Sequence, residues 1–564
     1  MEQKHRNLST KVVIRKQRRK RQKILAKDLF LDYAKNTTLH GLRYVAQNGL
    51  SVIEKLFWLL TFILSVALCF LLIRNVWMKW QTSPVIVSFS EKFVPVEMVP
   101  FPSVTICPDI KNRASVYNHS SEVSMLNHEN NSYIEQYSNK NLSVDIMKAL
   151  EKAQDIALIC EVQQMYPTFS LDRQTGNATI VENILKVSPS VSDYIFHCAW
   201  RGVPAIDCSE MFSTVLTEQG VCFNFNSLAA NEIFRQKNIQ KQYNYSDAST
   251  ASKYWSLDGG YQKNRGPYPR RGVISGSIYD LTVILQAPKQ DPDETCNGGL
   301  KGSKIFVQHP ADHPQSSLYY YASLPGQVSS VALKFNMIST SNSLKSYSPE
   351  VRQCYFQHER YLRYFKIYTS KNCRLECQAN YTFEKCGCVW FHMPHNDSES
   401  ICTVNKLDCI KKAIDEFTNE IFDDFVEDEP DPCLCLPPCD QISYDAEILK
   451  TDFNFSSIIN QFQKLAEIDL SNLIESYDYS RIDIYFKEPR FASMRRSELF
   501  GLTDFLANCG GLLGLFLGFS VLSLIEIIYF CTLRLGFTLK KDLDQEKSTL
   551  RKDKVNDAET NASE

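Results

Sequence analysis

Two apolar stretches, Leu56–Ile73 and Phe500–Thr532, stand at opposite ends of a chain of 564 residues, and they limit its fold more than any other feature. Each is long enough to cross a bilayer at roughly 1.5 Å per residue. The later one, FGLTDFLANCGGLLGLFLGFSVLSLIEIIYFCT, carries Gly510, Gly511, Gly514 and Gly518, then Ser520, Ser523 and an ionisable Glu526. A carboxylate deep in hydrocarbon costs about 2.5–3.5 kcal/mol even on the forgiving insertion scale. A plain anchor gives no return for that cost, whereas a wall around water does. Glycines also permit a break in the helix, tolerable only where the freed carbonyls face protein or a water-filled cavity. The segment therefore reads as pore lining. Helix–helix packing by the glycines is the bland reading, with Glu526 then paired to a basic residue.

The earlier stretch, LFWLLTFILSVALCFLLI, holds no charge and is flanked by Glu54 and Lys55 before and Arg74 after. More than fifty residues, most of them polar, precede it and no small-residue cleavage site follows, so it is not read as a cleaved signal peptide. The preceding residues include Lys4, Arg6, Lys11, Arg15, Lys16, Arg18, Arg19, Lys20, Arg21, Lys23 and Lys27. Positive charge beside a span stays cytosolic. Arg534, Lys540, Lys541, Lys547, Arg551 and Lys552 follow the second span and give the same sign. The expected organisation is thus residues 1–54 cytosolic, 55–74 a first transmembrane helix, 75–499 extracellular, 500–532 a second transmembrane segment and 533–564 a cytosolic tail. The tail from Asp542 is charged, nearly devoid of apolar residues and expected to be disordered.

The cysteines test that topology independently. Of 19, Cys69, Cys509 and Cys531 fall in or beside the spans, and the other 16 lie between Cys107 and Cys439. An even number confined to one compartment is what disulfides in an oxidising exterior require. Asn118, Asn130, Asn141, Asn177, Asn244, Asn380, Asn396 and Asn454 begin glycosylation sequons in the same stretch, while Asn7, Asn36 and Asn561 match outside it. A net charge of −2 says little, because it averages a basic end against a neutral to acidic exterior. An exterior of more than 400 residues is ample for a large core in several lobes.

Within the exterior, Pro102–Cys107, Ser303–Gln308, Val331–Ile338 and Arg481–Phe486 alternate apolar and polar residues at period two, the pattern of half-buried strands. The first closely follows span one and the last closely precedes span two, so strands joined to both spans are expected to carry movement into the membrane. Between Cys409 and Cys433 the period turns helical, with Ile410, Ile414, Phe417, Ile421 and Phe425 on one face. Asp415, Glu416, Glu420, Asp423, Asp424 and Glu427 line the other. That face is either a solvated surface or a cation or proton sensor. Cys354, Cys373, Cys377, Cys386, Cys388, Cys402, Cys409, Cys433, Cys435 and Cys439 form a dense block. Paired cysteines bind zinc in the cytosol, but outside the cell they form disulfides, here stapling the amphipathic helix to a neighbour. No metal site is expected.

In order along the chain stand His40-Gly41 in TTLHGLRYV, FPSVTICP (Phe101–Pro108), FSTVLTEQGVCFNFN (Phe212–Asn226), the late cysteine block, and GLLGLFLGFS (Gly511–Ser520). Together they resemble the degenerin and epithelial sodium channel superfamily, which includes the acid-sensing channels. ELFGLTDF before and IEIIYF after the glycine run look most like the arthropod pickpocket branch. The resemblance implies an α+β integral membrane protein: two transmembrane helices flanking a disulfide-rich extracellular domain of palm, finger, knuckle and thumb, assembled as a trimeric channel. It implies the pairs Cys107–Cys222 and Cys198–Cys208, then a ladder Cys354–Cys439, Cys373–Cys435, Cys377–Cys433, Cys386–Cys409 and Cys388–Cys402. Cys160 and Cys296 remain and are expected to pair with each other. Known members are sodium-selective, voltage-independent and commonly blocked by amiloride.

By the same resemblance Gly518-Phe519-Ser520 is the selectivity filter, in the family's G-x-S position. Ala507 falls at the degenerin position, where a small residue is needed for closure. One departure stands out: acid-sensing members read G-D-I-G-G where this chain has Ala507-Asn508-Cys509-Gly510-Gly511. An amide at Asn508 in place of a pore-facing carboxylate weakens any carry-over of block by divalent or amiloride-like cations. On physical grounds three filters meeting at an axis would offer carbonyls or Ser520 hydroxyls to a partly dehydrated cation. Three Glu526 side chains below would favour cations, and His40 and Gly41 would fold back to brace the lower pore. Ala507, Asn508, Gly511, Gly514 and Glu526 are the expected pore lining.

Three rivals bound this reading. An ATP-gated trimeric channel would need an extracellular lysine cluster and a different cysteine spacing. A two-span scavenger or adhesion receptor would need only anchors. An ectoenzyme would need G-x-S-x-G, H-E-x-x-H or P-loop spacing, and none is found. The expected partners are the bilayer, sibling subunits in a homo- or heterotrimer and an extracellular ligand, with sodium as permeant ion, no other cofactor and no nucleic acid. The gating stimulus, whether acid, ligand, stretch or none, is not encoded in any motif.

Overall fold

The computed structural model describes residues 27–541, except 83–84, 134–143, 161–172, 241–251, 263–267, 274, 277–278, 316–318, 428–432, 467–468 and 470, and also residues 544, 545 and 548. The chain divides into two compact units, one of residues 87–497 and one built from residues before 87 and after 497.

The larger unit is organised by two sheets. Its strands are β1 (Val85–Pro95), β2 (Ser103–Pro108), β3 (Ile195–Trp200), β4 (Val203–Pro204), β5 (Phe212–Thr217), β6 (Gly220–Phe225), β7 (Leu281–Pro288), β8 (Ser303–Gln308), β9 (Tyr321–Ser323), β10 (Gln327–Thr340), β11 (Gln441–Asp452), β12 (Tyr477–Phe486) and β13 (Arg490–Glu498). The first sheet runs β1-β13-β10-β12-β7-β3-β4, with β11 also on β10; the second runs β9-β8-β2-β6-β5. β10 organises the first sheet. One edge pairs antiparallel with β11 from Gln327↔Asp452 to Ile338↔Gln441. The other edge is shared, parallel to β12 from Val328↔Arg481 and then to β13 from Met337↔Ser493. β12 and β13 are separated by Lys487–Pro489, where a proline has no N–H for a ladder. Rings seal the interior: Phe101 lies 5.0 Å from Trp200 and 5.6 Å from Phe486, and Phe335 lies 4.6 Å from Phe491.

Two expectations change here. β2 is not half-buried: all six of its residues are inside. Its polar face is covered, and Ser103 Oγ donates to Asn224 Oδ1 at 2.7 Å. The strands joined to the spans are also not β2 and β12. β1 and β13, neighbours in one sheet, intervene on the two sides. Their sequences hid them. Lys92 and Glu91 interrupt β1, and three arginines make β13 read polar although Phe491, Ser493 and Arg496 are buried.

The thumb is two helices, Ser370–Cys386 and Leu407–Glu427. Cys386–Cys409 joins them directly, while Cys373–Cys435 and Cys377–Cys433 tie the first to the chain that leaves the second. Ile410, Ala413 and Phe417 are buried on the inner face, with Tyr381 and Phe417 rings 5.5 Å apart. On the outer face Glu416 meets Lys385 at 3.3 Å; the side chains from residue 420 to 427 lie outside the described residues. Cys377→Ser should leave Cys433 unpaired and remove a bridge worth roughly 2–4 kcal/mol. Surface delivery measured by biotinylation should fall severalfold, and normal delivery of the variant would refute a structural role for this bridge.

The remaining bridges are Cys107–Cys222, Cys160–Cys296, Cys198–Cys208, Cys354–Cys439 and Cys388–Cys402, while Cys69, Cys509 and Cys531 are free. The sequon residues Asn118, Asn177, Asn380 and Asn454 are exposed. Asn396 is half-buried, and its Oδ1 accepts from the backbone N–H of Ser398 and Glu399. Asn141 and Asn244, and the side chain of Asn130, lie outside the described residues.

In the smaller unit the first span is one helix, Val52–Thr82, longer at both ends than its uncharged core. Ser51 and Glu54 cap its start reciprocally: Ser51 N–H donates to Glu54 Oε2 at 2.7 Å, and Glu54 N–H to Ser51 Oγ at 3.3 Å. Half-buried Phe505 stacks on Trp80 with ring centroids 4.9 Å apart, which packs the helix on the second span. The second span is not continuous. It consists of Leu502–Leu517, a break at residues 518–520, and a helix from Val521 through a wide turn at Phe530–Arg534 to residue 541. Val52–Gln81 and Val521–Lys541 are each long and apolar enough to cross a membrane.

Candidate functional site: the break in the second span

The break follows from three consecutive residues. Leu502–Leu517 ends because Gly518 adopts φ 64°, ψ 23°, the left-handed conformation that costs a side chain about 1–2 kcal/mol. Its N–H donates to Gly514 O at 2.9 Å, the bond of a left-handed C-terminal cap, and Phe519 N–H donates to Leu513 O at 3.2 Å. Ser520 then starts the next helix. Its Oγ accepts from Ser523 N–H at 3.3 Å, while Ser523 Oγ accepts from Ser520 N–H at 3.1 Å. Glycine, one linking residue and a capping serine thus suffice to stop a helix in the middle of a span and restart it.

The break is propped by a loop from far upstream. His40 N–H donates to Leu517 O at 3.0 Å, satisfying a carbonyl the broken helix leaves open. The His40 ring lies against Gly518 so closely that a Cβ there would overlap it. Gly41 turns the loop with φ 86°, and a Cβ added there would meet Phe62 at 3.6 Å. Thr38 holds the next turn. Its N–H and Oγ1 lie 3.2 and 3.1 Å from Glu526 Oε2, and Oγ1 lies 2.8 Å from the buried Ser523 Oγ. Asp32 with Arg534, at 3.1 Å, and Tyr33 with Phe530, ring centroids 5.4 Å apart, extend the same contact. No basic side chain stands within ion-pair distance of Glu526 among the described residues, so the bland pairing does not occur there.

Ala507, Asn508, Gly511 and Gly514 are exposed along the first half of the span, and Asn508 Nδ2 donates to Asp504 O at 2.8 Å. A Cβ added at Gly510 or Gly511 would meet nothing within 4 Å. The backbone of this half is therefore open to whatever lies beyond the subunit. Thr38 was absent from the residues singled out by sequence, and Ser523 was noted only as one of the polar residues of the span. The signal was the threonine pair in TTLHG, which no periodicity flags.

A two-span chain with a disulfide-stapled exterior and a helix broken at a glycine within the second span defines a subunit of a membrane channel. Residues 33–530 match the family model described as amiloride-sensitive sodium channel. The chain is 28% identical to Pickpocket protein 28 of Drosophila melanogaster over 89% of its own length and 78% of that protein's. It is 24% identical to Sodium channel protein Nach of the same fly, covering 92% of this chain and 90% of the relative. It is also 24% identical to the Bile acid-sensitive ion channel of Mus musculus, over 89% and 87% respectively. The chain belongs to the amiloride-sensitive sodium channel family. It is an ion-channel subunit of the plasma membrane, not an enzyme; the family assembles as trimers, conducts sodium and uses no cofactor.

Proposed function

We infer that the chain forms, alone or with sibling subunits, a voltage-independent, sodium-selective and amiloride-sensitive channel opened by an extracellular chemical or mechanical stimulus in a sensory setting. The observation that carries this reading is the break at Gly518–Ser520. It is the one interruption of helix within the second span among the described residues, and it is built from a capped backbone rather than from a loose loop. Three copies about an axis present carbonyls and Ser520 hydroxyls at one level, the arrangement that replaces part of an ion's hydration shell. Gly518, Phe519 and Ser520 are then the filter, and Ala507, Asn508, Gly511 and Gly514 line the path to it. Below, Thr38 occupies only Oε2 of Glu526, which leaves the carboxylate able to contribute negative potential. His40 and Gly41 act in gating, because they hold the break in its present geometry.

The topology goes with this reading: residues 1–54 and 533–564 cytosolic, 55–74 and 500–532 in the membrane, 75–499 outside. It is supported by the eight bridges, which all fall between Cys107 and Cys439, while Cys69, Cys509 and Cys531 of the spans are unbridged. Whole-cell current on expression tests the function. Inward current should vanish when external sodium is replaced by N-methyl-D-glucamine. Ser520→Cys should react with a small thiol reagent in the open state or alter the sodium-to-potassium permeability ratio. An unchanged ratio together with an unreactive thiol would remove Ser520 from the filter.

A further inference from the structure

Three arginines crowd around one tryptophan on the larger unit. Trp200 ends β3; the guanidinium carbon of Arg201 lies 5.3 Å from its ring centroid and that of Arg270 lies 5.8 Å away. Arg271 completes the group. Its carbonyl accepts from Arg201 Nη2, while its own guanidinium stands 4.4 Å from the Tyr261 ring and donates from Nη1 to Glu97 O at 3.4 Å. Arg270 also faces Phe225, at 5.7 Å. Aromatic faces attract guanidinium groups, so these rings hold the three side chains in place. The backbone beneath them is fixed as well. Arg201 and Gly202, with φ 54° and 75°, turn the chain from β3 into β4 in two residues. Arg201 N–H donates to Asp280 O at 2.7 Å; Arg270 N–H donates to Asn226 Oδ1 at 2.6 Å, and its carbonyl accepts from Phe101 N–H at 2.8 Å.

What the cluster lacks is negative charge. Among the described residues none of the three guanidiniums has a carboxylate within ion-pair distance. Arg270 makes no side-chain hydrogen bond there either, yet it is only half-buried and none of its nitrogens is closed off from solvent. Two acids lie near. Buried Asp280 acts on Arg201 electrostatically from beyond ion-pair distance, and exposed Glu97 offers its carbonyl rather than its carboxylate. Burial lowers the pKa of Arg201 and of Arg270; Asp280 and Tyr268 oppose this, while the charge of Arg271 on the first and of Arg201 on the second adds to it. Both groups stay charged. Like charges gathered in this way repel, and a bound anion relieves the repulsion.

We propose that Arg201, Arg270 and Arg271 form a binding site for a free, doubly charged oxyanion of the phosphate or sulfate type. A guanidinium fork matches such an ion with paired N–H···O bonds, which a halide cannot accept. Arg270 brings donors that are all unused. Arg201 and Arg271 add charge and the N–H groups that their bonds to carbonyls leave over. A bound ion ties the turn between β3 and β4 to the segment around Arg270, stretches 70 positions apart in sequence. The site does not depend on the channel reading.

The test is titration calorimetry of the full chain in nanodiscs with sodium sulfate, sodium phosphate and sodium nitrate, in sodium chloride at constant ionic strength, since salt screens exposed charge. Sulfate and phosphate should bind saturably and compete with each other, and nitrate should not bind. Arg270→Gln, which keeps the length of the side chain and removes its charge, should weaken both at least about tenfold. Arg201→Gly should do the same; glycine accommodates the left-handed φ at this position, so this variant decides the matter if the first does not fold. No saturable binding of sulfate or phosphate by the parent, or binding at parental strength in Arg201→Gly, would overturn the site. Nitrate as tight as sulfate would overturn the doubly charged ion.

Discussion

Gly518→Ala should abolish macroscopic current while leaving the protein at the cell surface. Two costs fall on one methyl group. Position 518 holds φ 64°, where an alanine costs about 1–2 kcal/mol. The added Cβ also overlaps the His40 ring, so the loop must withdraw and give up the bond from His40 N–H to Leu517 O, worth roughly 0.5–1.5 kcal/mol. A conducting trimer meets both costs three times. The disulfide-stapled exterior contains neither residue, so surface biotinylation should stay within about twofold of the parent while current falls below about a tenth. Retained current at parental level would show that the left-handed cap and the His40 contact are not needed for conduction. Loss of surface protein in step with current would instead make Gly518 a folding residue.

The parts of this molecule that sequence made legible are those written in one residue type or one uninterrupted run. Leu56–Ile73 has no charge, and sixteen cysteines fall between two positions, so the two spans and the bridged exterior follow from counting alone. The thumb helix was legible because Ile410, Ile414 and Phe417 keep one period. The sheets were less so. β8 was legible at its full length, β2 within one residue and β10 and β12 in part, whereas β1 carries Glu91 and Lys92 and β13 carries three arginines, and both are strands because they have neighbours, not because they alternate. β2 was misjudged for a related reason: Ser103 and Thr105 look like an outer face until Asn224 is known to lie across from Thr105 and to bond Ser103.

The site divides in the same way. That Gly518 permits a break can be read locally, because a glycine and a capping serine are neighbours in sequence. That His40 and Thr38 prop the break depends on bringing together residues more than 470 positions apart.

Ala507→Val should give sustained sodium current without the natural stimulus, and toxicity relieved by low external sodium. Ala507 lies on the helix Leu502–Leu517, eleven residues before Gly518 and so about 16 Å along the axis at helical rise. On the topology proposed above this is toward the outer end of the pore. Its side chain is exposed in the single subunit, so whatever limits its size belongs to the trimer. A closed pore needs three helices in close approach there, which a methyl group allows. Valine adds two methyl-sized branches, and overpacking at such a point typically costs about 1–3 kcal/mol. The cost falls on the closed state, since helices in an open pore stand farther apart. A differential of about 2 kcal/mol shifts the closed-to-open ratio roughly thirtyfold. A channel open about 1% of the time at rest would then be open about a quarter of it, a change visible as resting current and as slowed growth of expressing cells. If the variant reaches the surface, alone or with a sibling subunit, and its resting current equals the parent's, then the closed pore is not sealed at Ala507 and the constriction lies lower, nearer the break at Gly518.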